Sequence, residues 1–561
     1  MSTARSLLTG GRVLTMDPAL GELPSADILV EDGLITAVEP RIDASGVDER
    51  IDAQGCLVLP GFIDTHRHMW QAALRGSGAD QTLDQYFATV LHTLAPRLTA
   101  DDLHLGNLLS ALGALDAGVT TVQDISNIAK PTEEHTDALL DALTESGLRS
   151  VFAYGHGTAQ DARRIRTRRL HAEDGLVTMA LNAESGSDET IRRGWGLARE
   201  LDVPTALHVR GGSPVSRLRR LGVLRPGAVF IHGTGMDAGE LRLIHDSGGA
   251  LSVAPAIEMT MGHGLPPFAE AAAAGLRPSL SVDVEVAAPS DMFTQLRAAF
   301  QIGRFAALQG HAGPDAPLLT AREVLEFATL GGAEALGMAD RIGSLAPGKQ
   351  ADVIVLRTDR PGVAPVHDAT AAVVSSMDRA DVDTVLVAGR IAKRQGKLVY
   401  AGLPRLLARA QDLCDRLAAA DATASAADQH TFLDGRERDP QLLAEGLRGA
   451  FRNAVDEPGV HGGGGAHRRL GGLHPARREL HPAAARIVLG RRARDIAGGH
   501  QALDDIAGPT GGQQQRVREL GRLEAVGGAD PSQGGEHSVL GLGQPQLLQF
   551  GTCRDVEGRH Q

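Results

Sequence analysis

The sequence predicts an α/β protein: a (β/α)₈ barrel with a small composite β-sandwich formed from the segments that flank it. Three observations carry this reading. Between Gly61 and Asp283, short apolar or β-branched runs alternate with Leu-, Ala-, Arg- and Glu-rich helical stretches, eight times over. Polar residues recur where those runs end, and the flanks on both sides carry short alternating strands instead.

The eight runs lie near Gly61–His66, Thr120–Ile125, Arg149–Gly155, Leu176–Asn182, Pro204–Val209, Ala228–Gly233, Ala250–Pro255 and Arg277–Asp283. Runs such as Val229-Phe230-Ile231 are apolar without alternation, as suits parallel strands covered on both faces. The span is close to the roughly 250 residues that such a barrel needs. A doubly wound open sheet fits less well, because no glycine-rich phosphate loop follows any strand.

Residues 59–344 are therefore assigned to the barrel. Short runs at Gly11–Met16, Ala26–Val30 and Gly33–Val38 precede it, and Ala351–Leu356, Thr384–Val387 and Lys397–Tyr400 follow, each bounded by Gly and Asp turns. Residues 1–58 and 345–400 are expected to pair into one antiparallel sandwich, with a helical segment at 401–429. Beyond that the texture changes: Gly462–Gly465 and Gln513–Gln515 are homopolymeric, and no lysine follows Lys397. Residues 430–561 read as a disordered or aberrant extension, too poor in apolar side chains to offset the entropy of ordering.

Composition narrows the function. A net charge of -13 spread along 561 residues argues against nucleic-acid or anionic-membrane partners and for a small-molecule substrate. Three scattered cysteines, Cys56, Cys414 and Cys553, supply no disulfide framework and no Cys-based zinc site, so a reducing, cytoplasmic setting is expected. The N-terminus lacks the uninterrupted apolar stretch of a secretory signal. Self-association as a homo-oligomer is left open.

The strand ends carry the chemistry. His66-Arg67-His68 closes the first strand, where residues two apart share a face, so both imidazoles can point into the barrel mouth. Strand five ends in His208, strand six in His232 and strand eight in Asp283. Four of eight strands thus deliver a metal-type ligand at one rim. Three imidazoles plus a carboxylate suit one divalent ion, zinc or iron, with a position left for water whose pKa the metal lowers toward about 7.

The order and wording of the motifs resemble the amidohydrolase superfamily, and its cytosine-deaminase and triazine-hydrolase branch above all. They are Leu-Pro-Gly-Phe-Ile-Asp-Thr-His-Arg-His (59–68), Ala-Gly-Val-Thr-Thr-Val (117–122), His208, His232, Val-Asp283 and Gly-Ser-Leu-Ala-Pro-Gly-Lys-Gln-Ala-Asp-Val-Ile-Val-Leu (343–356). The resemblance covers roughly residues 5–400. It implies hydrolysis of non-peptide C–N bonds, and sometimes C–Cl bonds, on small cyclic or heteroaromatic molecules.

Carried onto this chain, the family pattern makes His66, His68, His208 and Asp283 the metal ligands. Asp283 also takes a proton from water, and His232 polarises the substrate. The carbamylated-lysine variant is excluded, since no lysine lies between Lys130 and Lys349. Glu184 is a conceivable carboxylate substitute.

One departure bears on mechanism. Deaminases of this branch usually carry a glutamate three residues after the strand-five histidine, and here position 211 is Gly. Losing a general acid costs on the order of 10²–10⁴-fold unless another group replaces it. Glu258 is the candidate substitute, expected at the end of strand seven and facing the pocket, with a solvated loop carboxylate as the other reading. Trp70, Gln71, Arg75 and Tyr154 are candidate substrate contacts, although Trp70 reads equally as core packing. His156 and His263 are rim candidates without a role, and Asp124 is a structural acceptor. Two alternatives to deamination or amide-type hydrolysis follow: hydrolytic dechlorination, for which an anionic leaving group needs less proton donation, or a barrel that binds a ligand without catalysis.

Overall fold

The computed structural model describes residues 5–433 apart from 44, 129–130, 173, 184–185 and 312–315, and side chains as far as 419. Expectations for 430–561 lie, from 434 onward, outside the described residues, as does that for Glu184.

The first flank folds as β1 (Arg5–Leu14), β2 (Glu22–Glu31), β3 (Leu34–Glu39), β4 (Glu49–Asp52) and β5 (Cys56–Pro60). The barrel follows as β6 (Phe62–Arg67), β7 (Val119–Ser126), β8 (Arg149–Tyr154), β9 (Val177–Asn182), β10 (Thr205–Val209), β11 (Ala228–His232), β12 (Ala250–Val253) and β13 (Ser279–Leu280). The second flank adds β14 (Val353–Arg357), β15 (Val382–Val387), β16 (Arg390–Arg394) and β17 (Lys397–Leu398), and a helix, Leu403–Leu433, begins where a helical segment is expected.

The two flanks form one nine-stranded sheet in the order β17-β16-β15-β14-β5-β1-β2-β3, with β4 also on β1. The sheet curls until its far edge meets the segment leading into β14: Ile35 N–H donates to Lys349 O at 2.8 Å and Ala351 N–H to Gly33 O at 2.8 Å. Inside the curl, Leu8, Val13, Ile28 and Ile35 of the first flank pack with Leu345, Val353, Val355 and Leu386 of the second. The sheet is mixed rather than wholly antiparallel, because β4 and β5 run parallel to β1. The sequence patterning missed β4 for a physical reason: three of its four residues are charged, and only Ile51 is buried.

In the barrel, β6 to β13 are parallel neighbours in chain order. The seam between β13 and β6 closes beyond the strands, where Arg67 and Asp283 form a parallel bridge. There His68 N–H donates to Asp283 O at 2.9 Å and Asp283 N–H to His66 O at 3.0 Å. Ile63, Ile125, Ala153, Ala180, Ala206, Val229 and Ile231 fill the barrel interior, alternating along each strand with residues that face the surrounding helices. The helix Ala100–Asp116 crosses the turn Met69–Leu74 closely enough that a Cβ at Gly106 would stand 2.2 Å from Trp70 O. No helix among the described residues is long and apolar enough to cross a membrane.

One buried ion pair ties the sheet to the barrel. Arg149, at the start of β8, donates from Nε and Nη2 to the two carboxylate oxygens of Asp352 at 2.9 and 3.0 Å, and Asp352 also accepts the Ala388 N–H. Both side chains are at most 3% exposed. Removing one partner of such a pair strands a charge, at a cost of about 3–5 kcal/mol. Arg149→Met is expected to lower the urea midpoint of the intact chain accordingly, and Arg149→Met/Asp352→Leu to recover most of the loss; an unchanged midpoint in the single variant contradicts this role.

Candidate metal centre

The carboxyl ends of the strands bring five predicted side chains to one point. His66 and His68 end β6, His208 projects from β10, His232 ends β11, and Asp283 follows β13. His66 Nε2 stands 3.1 Å from His68 Nε2 and 3.2 Å from His208 Nε2. Asp283 Oδ1 is 3.5 Å from the first of these nitrogens and 3.6 Å from the second. Two overlapping triads result, His66/His68/Asp283 and His66/His208/His232, each with its ligand atoms within 4.8 Å of one another.

Backbone strain accompanies the convergence. His232 and Asp283 both adopt left-handed backbone, at φ 76° and 66°. Side chains other than glycine pay about 1–3 kcal/mol for such conformations, and they persist where surrounding structure enforces them.

Burial holds every imidazole neutral. His68 is pushed down to about 4, while His66 and His208 fall well below the ordinary histidine value, burial being the largest cause and neighbouring imidazoles adding to it. The His68 Nδ1–H donates to Ile125 O at 3.1 Å, which fixes the tautomer and leaves Nε2 as a free lone pair toward the cluster. Asp283 is driven well above the usual carboxylate range by burial, with the negative charges of Glu258 and Asp64 adding to it. Three unprotonated nitrogens and a carboxylate disfavoured as a bare anion are the donor set of a divalent cation, whose charge reverses the penalty on Asp283. The residues present fit such an ion.

Between them and solvent lies a cavity of about 520 Å³. His68, His208, His232 and Asp283 form part of its wall, with Leu83, Tyr86, Phe87, Leu91, Asn127, His156, Arg210, Met261 and His263 among its other lining residues. Its volume is that of a drug-sized ligand site.

Other predicted residues stand elsewhere. Trp70 is fully buried, and its Nε1–H donates to Asn127 Oδ1 at 3.0 Å, so it supports a wall residue without lining the wall. Gln71 does the same for Tyr86, donating to its hydroxyl at 2.6 Å. Arg75 turns away to pair with Glu285. Tyr154 is 4% exposed and its hydroxyl donates to Asp161 Oδ2 at 3.0 Å, outside the cavity lining.

Glu258 corrects the expectation most directly. β12 stops at Val253, and Pro255–Thr260 is a short helix with Pro at its first turn. The helix folds Glu258 back, so that Oε1 accepts the Ala254 N–H at 2.9 Å and the His232 Nδ1–H at 3.1 Å. The carboxyl group stands behind His232, fully buried, and burial raises it to about 8. Burial also lowers His232 to about 3, so neither partner favours a charge before a proton arrives at the cavity side.

Asp124 accepts Asn107 Nδ2–H at 2.9 Å and Met69 N–H at 3.2 Å, a structural acceptor. The cavity-lining residue that sequence reasoning overlooked is Arg210, which lies one residue past the end of β10 and two after His208.

Comparison with known proteins agrees with this architecture. The amidohydrolase family model matches residues 57–392. A 5-methylthioadenosine/S-adenosylhomocysteine deaminase of Desulforudis audaxviator is 29% identical over 429 residues, covering 71% of this chain and 96% of that protein. A 5'-deoxyadenosine deaminase of Methanothermobacter thermautotrophicus is 29% identical over 425 residues, covering 71% and 95%. Among solved structures, a zinc-bound adenosine deaminase from Xanthomonas campestris superposes with a TM-score of 0.67 at 25% identity, covering 74% of this chain and 99% of its own. The zinc complex of atrazine chlorohydrolase from Arthrobacter aurescens shares the fold, with a TM-score of 0.65 at 24% identity over 73% and 99% of the two chains.

Elemental analysis of the purified chain by mass spectrometry is expected to find about one zinc or iron per molecule, and the His66→Ala/His208→Ala variant to have lost it. Metal retained in the double variant contradicts the cluster as the binding site.

Proposed function

The chain belongs to the amidohydrolase family, and from that premise we propose that it is a hydrolase dependent on one zinc or iron ion, cleaving a non-peptide C–N bond of a small heteroaromatic amine. The convergence of His66, His68, His208 and Asp283 at the floor of a 520 Å³ cavity supports this most strongly. These four hold the ion in the proposal. When bound, the ion supplies the Lewis acidity that makes water a nucleophile at neutral pH. The adenosine-type deaminases among the relatives favour an aminated purine or pyrimidine as the class of substrate.

The chain's own residues then divide the work. Asp283, held as a carboxylate once the ion offsets the cost of its burial, would accept the proton of the attacking water. His232 presents Nε2 to the cavity, 3.9 Å from Asp283 Oδ2, where it can receive that proton and then donate it to the substrate. Glu258 acts through His232: by accepting the Nδ1–H it sets the tautomer and balances the imidazolium that a proton transfer creates. Glu258 is thus a positioning residue in this reading. A reducing cytoplasmic location, and a division into a catalytic barrel at 59–344 with flanks 1–58 and 345–400, belong to the same proposal.

Gly211 favours a second reading. No carboxylate stands at that position, so the departing amine has one proton donor fewer, and expulsion of an anion such as chloride demands less of the site.

The test is a screen of the metal-loaded chain against heteroaromatic amines and their chloro analogues, reading ammonia and chloride separately. Ammonia release is expected, with His232→Asn lowering kcat by about 10²-fold or more and Glu258→Gln by at least about tenfold with KM less affected. Chloride release alone selects the second reading. Wild-type turnover in Glu258→Gln removes Glu258 from the mechanism.

A further inference from the structure

The cavity wall holds one arginine that the scheme above does not use. Arg210 follows His208 by two residues, one past the end of β10, and both are exposed residues that line the cavity. Among the described residues Arg210 makes no ion pair or hydrogen bond, in contrast to Arg67, Arg75, Arg149 and Arg217, which all hold carboxylates.

Among the described residues the cavity offers it no free counter-charge. Asp283 is the one carboxylate among the described residues of the wall, and His66 and His68 engage it in the proposed cation site. The remaining polar lining, His156, His232, His263 and Asn127, carries no negative charge. Arg210 is near enough to His232 and His263 that its charge, after burial, drives both imidazoles further toward the neutral form.

The neighbouring position matters as much. Gly211 turns left-handed at φ +48°, and a Cβ there would meet nothing closer than Gly235 O at 4.0 Å. The carboxylate that the family pattern would place beside Arg210 is therefore missing, and open space stands in its place.

We infer that Arg210 is the specificity-determining residue of the cavity, and that the substrate carries an oxyanion, a carboxylate first of all, which pairs with its guanidinium. The inference rests on the proposed C–N hydrolase reading for the reaction, but the recognition itself needs only the cavity. A planar fork of N–H donors in a concave, partly apolar site gives bidentate, charge-assisted bonds that a neutral ligand cannot replace. A positive field in a cleft also draws anions toward it. Cation and substrate charge then sit apart: the anion on Arg210 at the β10 rim, the scissile carbon over the histidine cluster.

Binding of matched heteroaromatic carboxylates and carboxamides, nicotinate with nicotinamide among them, tests this without any turnover. Titration calorimetry on the zinc-loaded full chain is expected to show carboxylates bound about tenfold or more tightly than their amides, as one charge-assisted bidentate contact provides. In Arg210→Gln that ratio falls to about one, and in Arg210→Lys it lies between. No preference in the wild-type chain overturns the inference. So does a preference that survives Arg210→Gln, since the carboxylate is then held by the metal. Because the ratio is read from non-substrates, a failure of C–N hydrolysis in the amine screen leaves it intact, and the two failures are told apart.

Discussion

The site depends on how the barrel seam is held shut. The seam strands share few backbone bonds, and a buried cluster of charges closes the gap. Arg67, between the two ligand-type histidines of β6, donates Nε–H to Asp64 Oδ2 at 2.7 Å, Nη1–H to Glu285 at 3.3 Å and Nη2–H to Ser290 O at 3.1 Å. Asp64 in turn accepts the N–H groups of His66 and Val282, each at 3.2 Å, from opposite sides of the seam. Burial raises Asp64 and works against Glu285 as an anion, yet Arg75 and Arg67 together hold Glu285 below its ordinary value. Such a cluster adds little net stability but tolerates few alternative geometries. Here it fixes His66, His68 and Asp283 relative to one another, and so the position of the cation they would share.

The fold was largely legible because the chain repeats one pattern. Apolar runs without alternation, each ending in a polar residue, marked all eight barrel strands within a few positions. The last strand was the least regular: only Ser279 and Leu280 hold strand geometry, although the seam pairing continues to Asp283. The flanking sheet was legible as paired β-structure, while its parallel joints to β1 were not, since register between distant segments leaves no local mark. Ligand-type residues were legible for a simpler reason: a barrel sends the ends of its strands to one rim.

Apart from Tyr154 on β8, what sequence reasoning misplaced lies beyond the strand ends. Trp70 and Gln71 follow β6 in a tight turn that buries them under the helix Ala100–Asp116, and Arg75, just past that turn, is exposed and pairs with Glu285. Sequence order put them next to the ligands, but a turn reverses which face a side chain presents. Glu258 lies past the end of strand seven in a short helix, for which Pro255 is the start signal in the sequence. Tyr86, Asn127 and Met261 reach the cavity from segments with no periodicity to read. A substrate-facing wall is built from such segments, which is why chemistry is easier to read here than specificity.

The central claim is that one cation sits among His66, His68, His208 and Asp283 while His232 stays outside its coordination. The most direct measurement is anomalous diffraction at the zinc edge from crystals of the zinc-loaded chain. The account predicts a single peak about 2.0–2.2 Å from three Nε2 atoms and an Asp283 oxygen, with His232 Nε2 beyond bonding distance and its Nδ1–H still donated to Glu258. A peak ligated by His232 in place of Asp283, or one lying away from this cluster, contradicts it.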